Sequence, residues 1–189
     1  MIKPNIKTSN KTPLANDWFD TQGWKAYPFQ KETWENILAG KSGLLNAPTG
    51  CGKTYAIWFG IIQSWSNRYQ LSGGNNQVTN TNGIADQSIN QNRKSQLHTL
   101  WITPLRALTK EIELATKRAT SDLELPYKIA LRSGDTTTKE RAEQKKNIPQ
   151  ALITTPESVH VLLSQKGYPD YFKTPKYLYI SNIYAIKKS

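Results

Sequence analysis

The stretch LLNAPTGCGKTYA, residues 44–56, decides how the rest of this chain is read. Within it, Ala47-Pro48-Thr49-Gly50-Cys51-Gly52-Lys53-Thr54 fits the pattern G-x-x-x-x-G-K-[ST], with Ala47 in place of the first glycine. Gly50 and Gly52 let the backbone turn tightly and aim N–H groups at phosphate oxygens. A helix beginning at Lys53 adds its positive N-terminal end to the same anion site. Lys53 supplies a point charge for the β- and γ-phosphates, and the Thr54 hydroxyl a ligand for Mg²⁺. Residues 47–54 are therefore read as a nucleotide-phosphate cradle, with Mg²⁺ as the expected metal and ATP the nucleotide expected once the motifs below are added. The bland alternative, a glycine-rich turn with an incidental lysine, is disfavoured by the apolar run before the loop and the helical pattern after it. Cys51 reads as a small residue at an unconstrained position, with a redox or alkylation switch as the alternative.

Outward from the loop, short apolar runs alternate with helical periodicities, which predicts a parallel α/β sheet flanked by helices. GLLNA (43–47) reads as a short buried strand. Tyr55, Trp58, Phe59, Ile62 and Trp65 recur at helical spacing and place an amphipathic helix over about 53–66. HTLWIT (98–103) is the next strand, followed by a helix over about 105–118 with Leu105, Leu108, Ile112 and Ala115 on one face. YKIALR (127–132), ALITT (151–155) and YLYI (177–180) are further strands, and residues 139–146 and 156–165 read as helices, the second opened by a proline. Trp18, Trp24, Trp34, Trp58, Trp65 and Trp101 read mostly as packing residues. Trp18 and Trp24, placed in a loop ahead of Gln30, are the better candidates to touch an adenine.

Two segments fall outside this rhythm. Residues 67–97 are rich in Asn, Gln, Ser and Gly and read as a mobile low-complexity insertion. Residues 1–14 read as a disordered N-terminus.

The totals narrow the class. Twenty-five Lys and Arg against fourteen Asp and Glu give a net charge of +11, which favours a polyanionic partner, nucleic acid being the commonest. A solvated basic surface is the alternative. No run approaches the roughly 18 apolar residues of a membrane span. The N-terminal lysines have no apolar segment behind them, and one cysteine excludes an internal disulfide. The expectation is a cytoplasmic protein with no membrane partner.

Four motifs in order carry a resemblance. GWKAYPFQKETW (23–34), the loop itself, TPLRALTKE (103–111) and ITTPES (153–158), with RSGDTTTKER (132–141) between the last two, resemble superfamily 2 helicases, and within them the ligase-associated, Lhr-type DEXH-box DNA helicases. The resemblance implies a P-loop NTPase fold, a RecA-like domain over 15–180. It implies that Gln30 reads the adenine edge, for which an amide that donates and accepts is suited. It also implies that Thr103, Pro104, Arg106, Thr155, Pro156 and Glu157 contact a nucleic-acid strand, single-stranded DNA in preference to RNA. A DNA ligase and a nuclease are the implied protein partners. Position alone supports the strand-contacting set, because ligands of open α/β sheets bind beyond the carboxyl ends of the strands. Helix capping for the hydroxyl residues and a surface ion pair for Arg106 remain the alternatives.

What the resemblance leads one to expect next does not follow. The DEXH Asp and Glu, which serve the metal and the attacking water, should come after YLYI. Ser181 and Asn182 stand there instead, and no Asp or Glu occurs after Asp170. Residues 181–189 thus read as an atypical tail, and the RecA-like domain as incomplete at its C-terminus. The expectation is a truncated, hydrolysis-deficient helicase fragment that binds ATP and single-stranded DNA. The alternative is a non-catalytic nucleotide- and nucleic-acid-binding module. A GTPase is disfavoured, because no N-K-x-D element is present.

Overall fold

The computed structural model describes residues 13–71, 96–165, 172 and 175–181. The described part comprises two compact units, the first built from residues up to 71 together with 115–125, the second from 96–114 and the residues from 126 onward.

The first unit is helical. Helix α1 (Pro13–Thr21), helix α2 (Pro28–Leu38) and helix α3 (Lys53–Leu71) carry it, with α1 and α2 both packed on α3. Each of the first two opens on a proline, whose missing N–H is no loss in a first helical turn. The expected disorder of residues 1–14 does not extend to Pro13 and Leu14: Leu14 is buried and its N–H donates to Gln63 Oε1 at 3.1 Å. The loop expected around Trp18 is likewise helix. Leu14, Ala15, Trp18 and Phe19 make one apolar face of α1, and all four are buried.

Helix α3 was read as amphipathic over 53–66. It is longer, taking in residues 67–71 of the expected insertion, and residues 56–64 are buried on every side. A helix enclosed all round needs no polar stripe, which is why Ile57 and Ile61, off the predicted face, are as buried as Trp58 and Ile62. Trp18, Phe19, Trp34, Tyr55 and Phe59 form an aromatic cluster with ring centroids 5.1–6.3 Å apart and mostly edge-on, the arrangement their quadrupoles favour. Gly60 is required in α3. A Cβ there would lie 2.8 Å from Ile37 Cδ1 and 3.0 Å from Ile37 Cβ, so its absence sets how closely α2 approaches.

The second unit holds a four-stranded parallel sheet in the order β2-β3-β1-β4. The strands are β1 (Thr99–Ile102), β2 (Ile129–Arg132), β3 (Ala151–Thr154) and β4 (Tyr177–Ile180), each inside a segment the sequence marks as strand. Thr99 pairs with Ala151 on one side and Tyr177 on the other, so the four carboxyl ends fall level. Helix α4 (Arg106–Asp122), helix α5 (Thr138–Lys146) and helix α6 (Pro156–Ser164) connect them. The central strands are buried, and Leu97, Leu100, Leu152 and Leu162 form the core with Ile102, Ala130, Ile148 and Phe172 packed against it. On α4, whose residues from 115 onward belong to the first unit, the buried positions are Thr109, Ile112, Thr116, Ala119 and Thr120, while Leu105, just before its first turn, is half exposed.

One predicted strand is missing. Residues 43–47 carry no regular secondary structure, and Leu44 is 84% exposed. The residue types explain the miss: Gly43, Asn46 and Ala47 are of kinds depleted in strands, and two leucines alone do not supply the β-branched or aromatic side chains that favour a ladder. The remaining expectations about irregular segments fall on residues 1–12, 72–95 and 182–189, which lie outside the described residues.

Candidate functional site

The phosphate loop belongs to the first unit. Gly50 and Gly52 have φ values of 79° and 83°, the left-handed region that makes glycine necessary. Directly after them α3 runs for 19 residues, so its N-terminal N–H groups and dipole open onto the loop. Lys53 folds back over it, with Nζ donating to the Ala47 and Pro48 carbonyls at 2.6 Å each. The Cys51 thiol donates to the Pro48 carbonyl as well. Thr54 is half-buried in the first turn of α3, and Thr49 and Pro48 are exposed at the tip. The donor set suits a triphosphate: glycine-hinged N–H groups, a helix N-terminus, one ammonium and one hydroxyl. For Lys53 to reach a phosphate it must exchange two carbonyl acceptors for phosphate oxygens, a change from neutral to charged partners that strengthens its bonds.

Gln30 adjoins this loop through its own amide. Oε1 accepts from the Tyr27 N–H at 2.9 Å, completing the first turn of α2, and Nε2 donates to the Gly52 carbonyl at 3.1 Å. The side chain is 2% exposed, yet the amide keeps one further lone pair and one further N–H. Trp18 is fully packed, its indole N–H donating to Asp122 Oδ2 at 2.9 Å, so the expected adenine contact is replaced by a core role. Trp24 is 43% exposed beside it.

The expected strand-contacting residues belong to the second unit, at the carboxyl ends of β1 and β3. Thr103 follows β1, its N–H bonded to the Thr154 carbonyl, with the side chain fully buried and Oγ1 without a partner. Thr155 is the N-cap of α6, accepting from the Ser158 N–H, and is 2% exposed. The Thr103 hydroxyl is enclosed, whereas the Thr155 hydroxyl serves the first turn of α6, bonded to the Ser158 N–H and hydroxyl. Pro104, Arg106, Pro156 and Glu157 are exposed. The Glu157 carboxyl is held below the usual carboxylate range by its own backbone N–H and by the Thr155 hydroxyl, with Arg106 adding a smaller push in the same direction.

Arg106 lines a cleft of about 140 Å³ together with Arg132, Ser133, Gly134, Arg141 and Thr155, among others. The Ser133–Thr136 turn forms one wall. Arg141 grips that turn from behind, Nε donating to the Thr136 carbonyl at 2.9 Å and Nη2 to the Gly134 and Ser133 carbonyls at 3.2 and 3.5 Å. Sequence reading singled out the segment but missed Arg141. The signal was available: Thr137 and Glu140 form a capping box that fixes the start of α5 and puts Arg141 one turn in, facing back on the turn.

Ser181, in the place expected for the DEXH Asp, prolongs β4 by donating its N–H to the Ile102 carbonyl at 2.8 Å, and its hydroxyl points to the same oxygen at 3.3 Å. Asn182 lies outside the described residues. Among the described residues no group of three His, Cys, Asp or Glu is placed to hold a metal ion.

A glycine-hinged phosphate loop heading a long helix, and a parallel sheet whose strand ends carry the segments 103–111 and 153–158, define a P-loop protein of the helicase-type α/β class. The chain belongs to the DEAD/DEAH box helicase family, whose model matches residues 27–180. It is 28% identical over 184 residues to the ATP-dependent helicase Lhr-Core of Sulfolobus acidocaldarius, covering 94% of this chain and 19% of that one. It is 30% identical over 151 residues to the Lhr helicase/probable uracil glycosylase of Mycolicibacterium smegmatis, covering 80% of this chain and 9% of that one. The solved structure of the Mycobacterium smegmatis helicase Lhr, bound to ssDNA and AMP-PNP, matches with a TM-score of 0.61 at 26% identity, over 88% of this chain and 19% of that one. The chain thus spans at most about a fifth of the length of these relatives. The RecA-like fold and the Lhr-type resemblance read from the motifs hold. No helix among the described residues is long and apolar enough to cross a membrane.

Proposed function

We propose that this chain binds Mg·ATP at residues 47–54, with Gln30 reading the adenine edge, and binds single-stranded DNA through the segments 103–106 and 155–157. Lys53 and the N–H groups of the loop would hold the phosphates and Thr54 the metal, which when bound neutralises phosphate charge. Pro104, Arg106, Pro156 and Glu157 are the exposed members of the strand-contacting set, with Arg106 its cation; Thr103 and Thr155 shape the backbone beneath them. The parent activity in this reading is ATP-dependent DNA unwinding in the cytoplasm. The observation that carries it is the pair of left-handed glycines, Gly50 and Gly52, at the head of α3 in a chain of the helicase family.

Turnover is a separate matter. Neither the Ser181 hydroxyl nor the Asn182 amide supplies the charge or the base that a carboxylate brings to metal and water. The 189-residue chain by itself therefore binds nucleotide without hydrolysing it appreciably. Phosphate release, measured with and without oligothymidylate and with Lys53→Ala as control, tests this. No release above the control is expected; DNA-stimulated release abolished by Lys53→Ala would overturn the claim of inactivity.

A further inference from the structure

Within the second unit, the Arg106 guanidinium is not free in the cleft. It lies against Gly134, where a Cβ would come within 2.9 Å of Nη2, and Nη1 is 3.7 Å from Asp135 Oδ1. The residue that carries this carboxylate is fixed. Its N–H donates to the Ser133 hydroxyl at 3.3 Å, the Ser133 N–H donates to Thr136 Oγ1 at 2.9 Å, and Arg141 holds three carbonyls of the same turn. The hydrogen bonds fix the backbone that carries the carboxylate, so Asp135 stays opposite the guanidinium even though its side chain is about two-thirds exposed.

We infer that Asp135 is a resident counter-ion that parks Arg106 against Gly134 and competes with nucleic-acid phosphate for it, so that this turn sets the affinity for the strand. The inference rests on the reading of Arg106 as a phosphate contact. A phosphate oxygen and Asp135 present the same chemistry to one planar fork, and only one can take its full geometry at a time. Both partners are about two-thirds exposed, so the competition is modest in size. Its effect is to keep one phosphate contact easily exchanged, as a protein that moves along a strand requires.

The test is the affinity of the full chain for a fluorescein-labelled oligothymidylate at fixed, moderate salt, for wild type, Asp135→Asn, Asp135→Ser, Arg106→Ala and the Arg106→Ala/Asp135→Asn double variant. Both Asp135 variants should tighten binding by about two- to fivefold. Asp135→Asn should produce no comparable gain once Arg106 is alanine. An equal gain in both backgrounds overturns the inference, because removing a negative charge anywhere nearby would do that; so does no gain from Asp135→Asn where Arg106 is intact. Arg106→Ala binding like wild type, or no binding by wild type at all, defeats instead the nucleic-acid reading beneath it.

Discussion

Gln30 Nε2 lies 3.1 Å from the carbonyl oxygen of Gly52, so the residue expected to read the base is already bonded to the loop expected to hold the phosphates. The same amide caps α2 through the Tyr27 N–H. Gly52 is doubly constrained, by its φ of 83° and by a Cβ position only 2.7 Å from Nε2. Gly52→Ala should therefore destabilise the chain by about 1–3 kcal/mol and abolish nucleotide binding. Adding Gln30→Ala removes the clash but not the backbone strain, so chemical denaturation of the double variant should show partial rescue. Full rescue would mean that the positive φ costs nothing.

Lys53 bonds two loop carbonyls, one half-buried and one exposed at their residues, so losing it leaves acceptors that water reaches. Lys53→Ala should weaken nucleotide binding by about tenfold to a hundredfold, the range for one charge-assisted bond, and shift thermal stability little. A large fall in melting temperature would instead assign Lys53 a structural role.

Gly60→Ala inserts a methyl 2.8 Å from Ile37 Cδ1. Alanine is favoured over glycine inside a helix by about 1 kcal/mol, but overpacking costs about 1–3 kcal/mol, so the net sign is destabilising. Pairing it with Ile37→Val should recover part of the loss in urea denaturation, because valine lacks Cδ1, the nearest of the clashing atoms, while keeping the Cβ that would lie at 3.0 Å.

The strand ends and phosphate loop were legible because their signals are local. Gly50, Gly52 and Lys53 announce their backbone geometry within a few residues, and Pro156 marks the first turn of α6. Residues 43–47 were not legible as observed. Leu44 and Leu45 mark an apolar run, but Gly43, Asn46 and Ala47 are of kinds depleted in strands, and a strand requires a ladder partner that the run itself does not encode. Trp18 misled for a related reason: an aromatic among polar neighbours reads as a loop residue until Leu14, Ala15 and Phe19 are seen to share its face. The two-sided use of the Gln30 amide and the grip of Arg141 on the Ser133–Thr136 turn depend on side chains meeting across separate elements.

Glu140 offers a pH test that is independent of ligand. Its carboxylate accepts from the Thr137 N–H and hydroxyl, both at 2.8 Å, and these bonds, the backbone one foremost, hold it below the usual carboxylate range. A carboxyl depressed in the folded state contributes stability that is complete above its unfolded value, near 4.5, and is lost as pH falls through the folded value. The stability difference between wild type and Glu140→Gln should thus be present at neutral pH and fade below pH 4.5. A difference constant from neutral to strongly acidic pH would contradict the assignment.

The central claim is that residues 47–54 form a working nucleotide cradle in this chain. Calorimetric titration of the full chain with a non-hydrolysable ATP analogue in the presence of Mg²⁺, with Lys53→Ala alongside, tests it most directly. The account predicts saturable one-to-one binding by wild type, lost or weakened at least tenfold in Lys53→Ala. Absence of binding in wild type, or equal binding by both proteins, would contradict it.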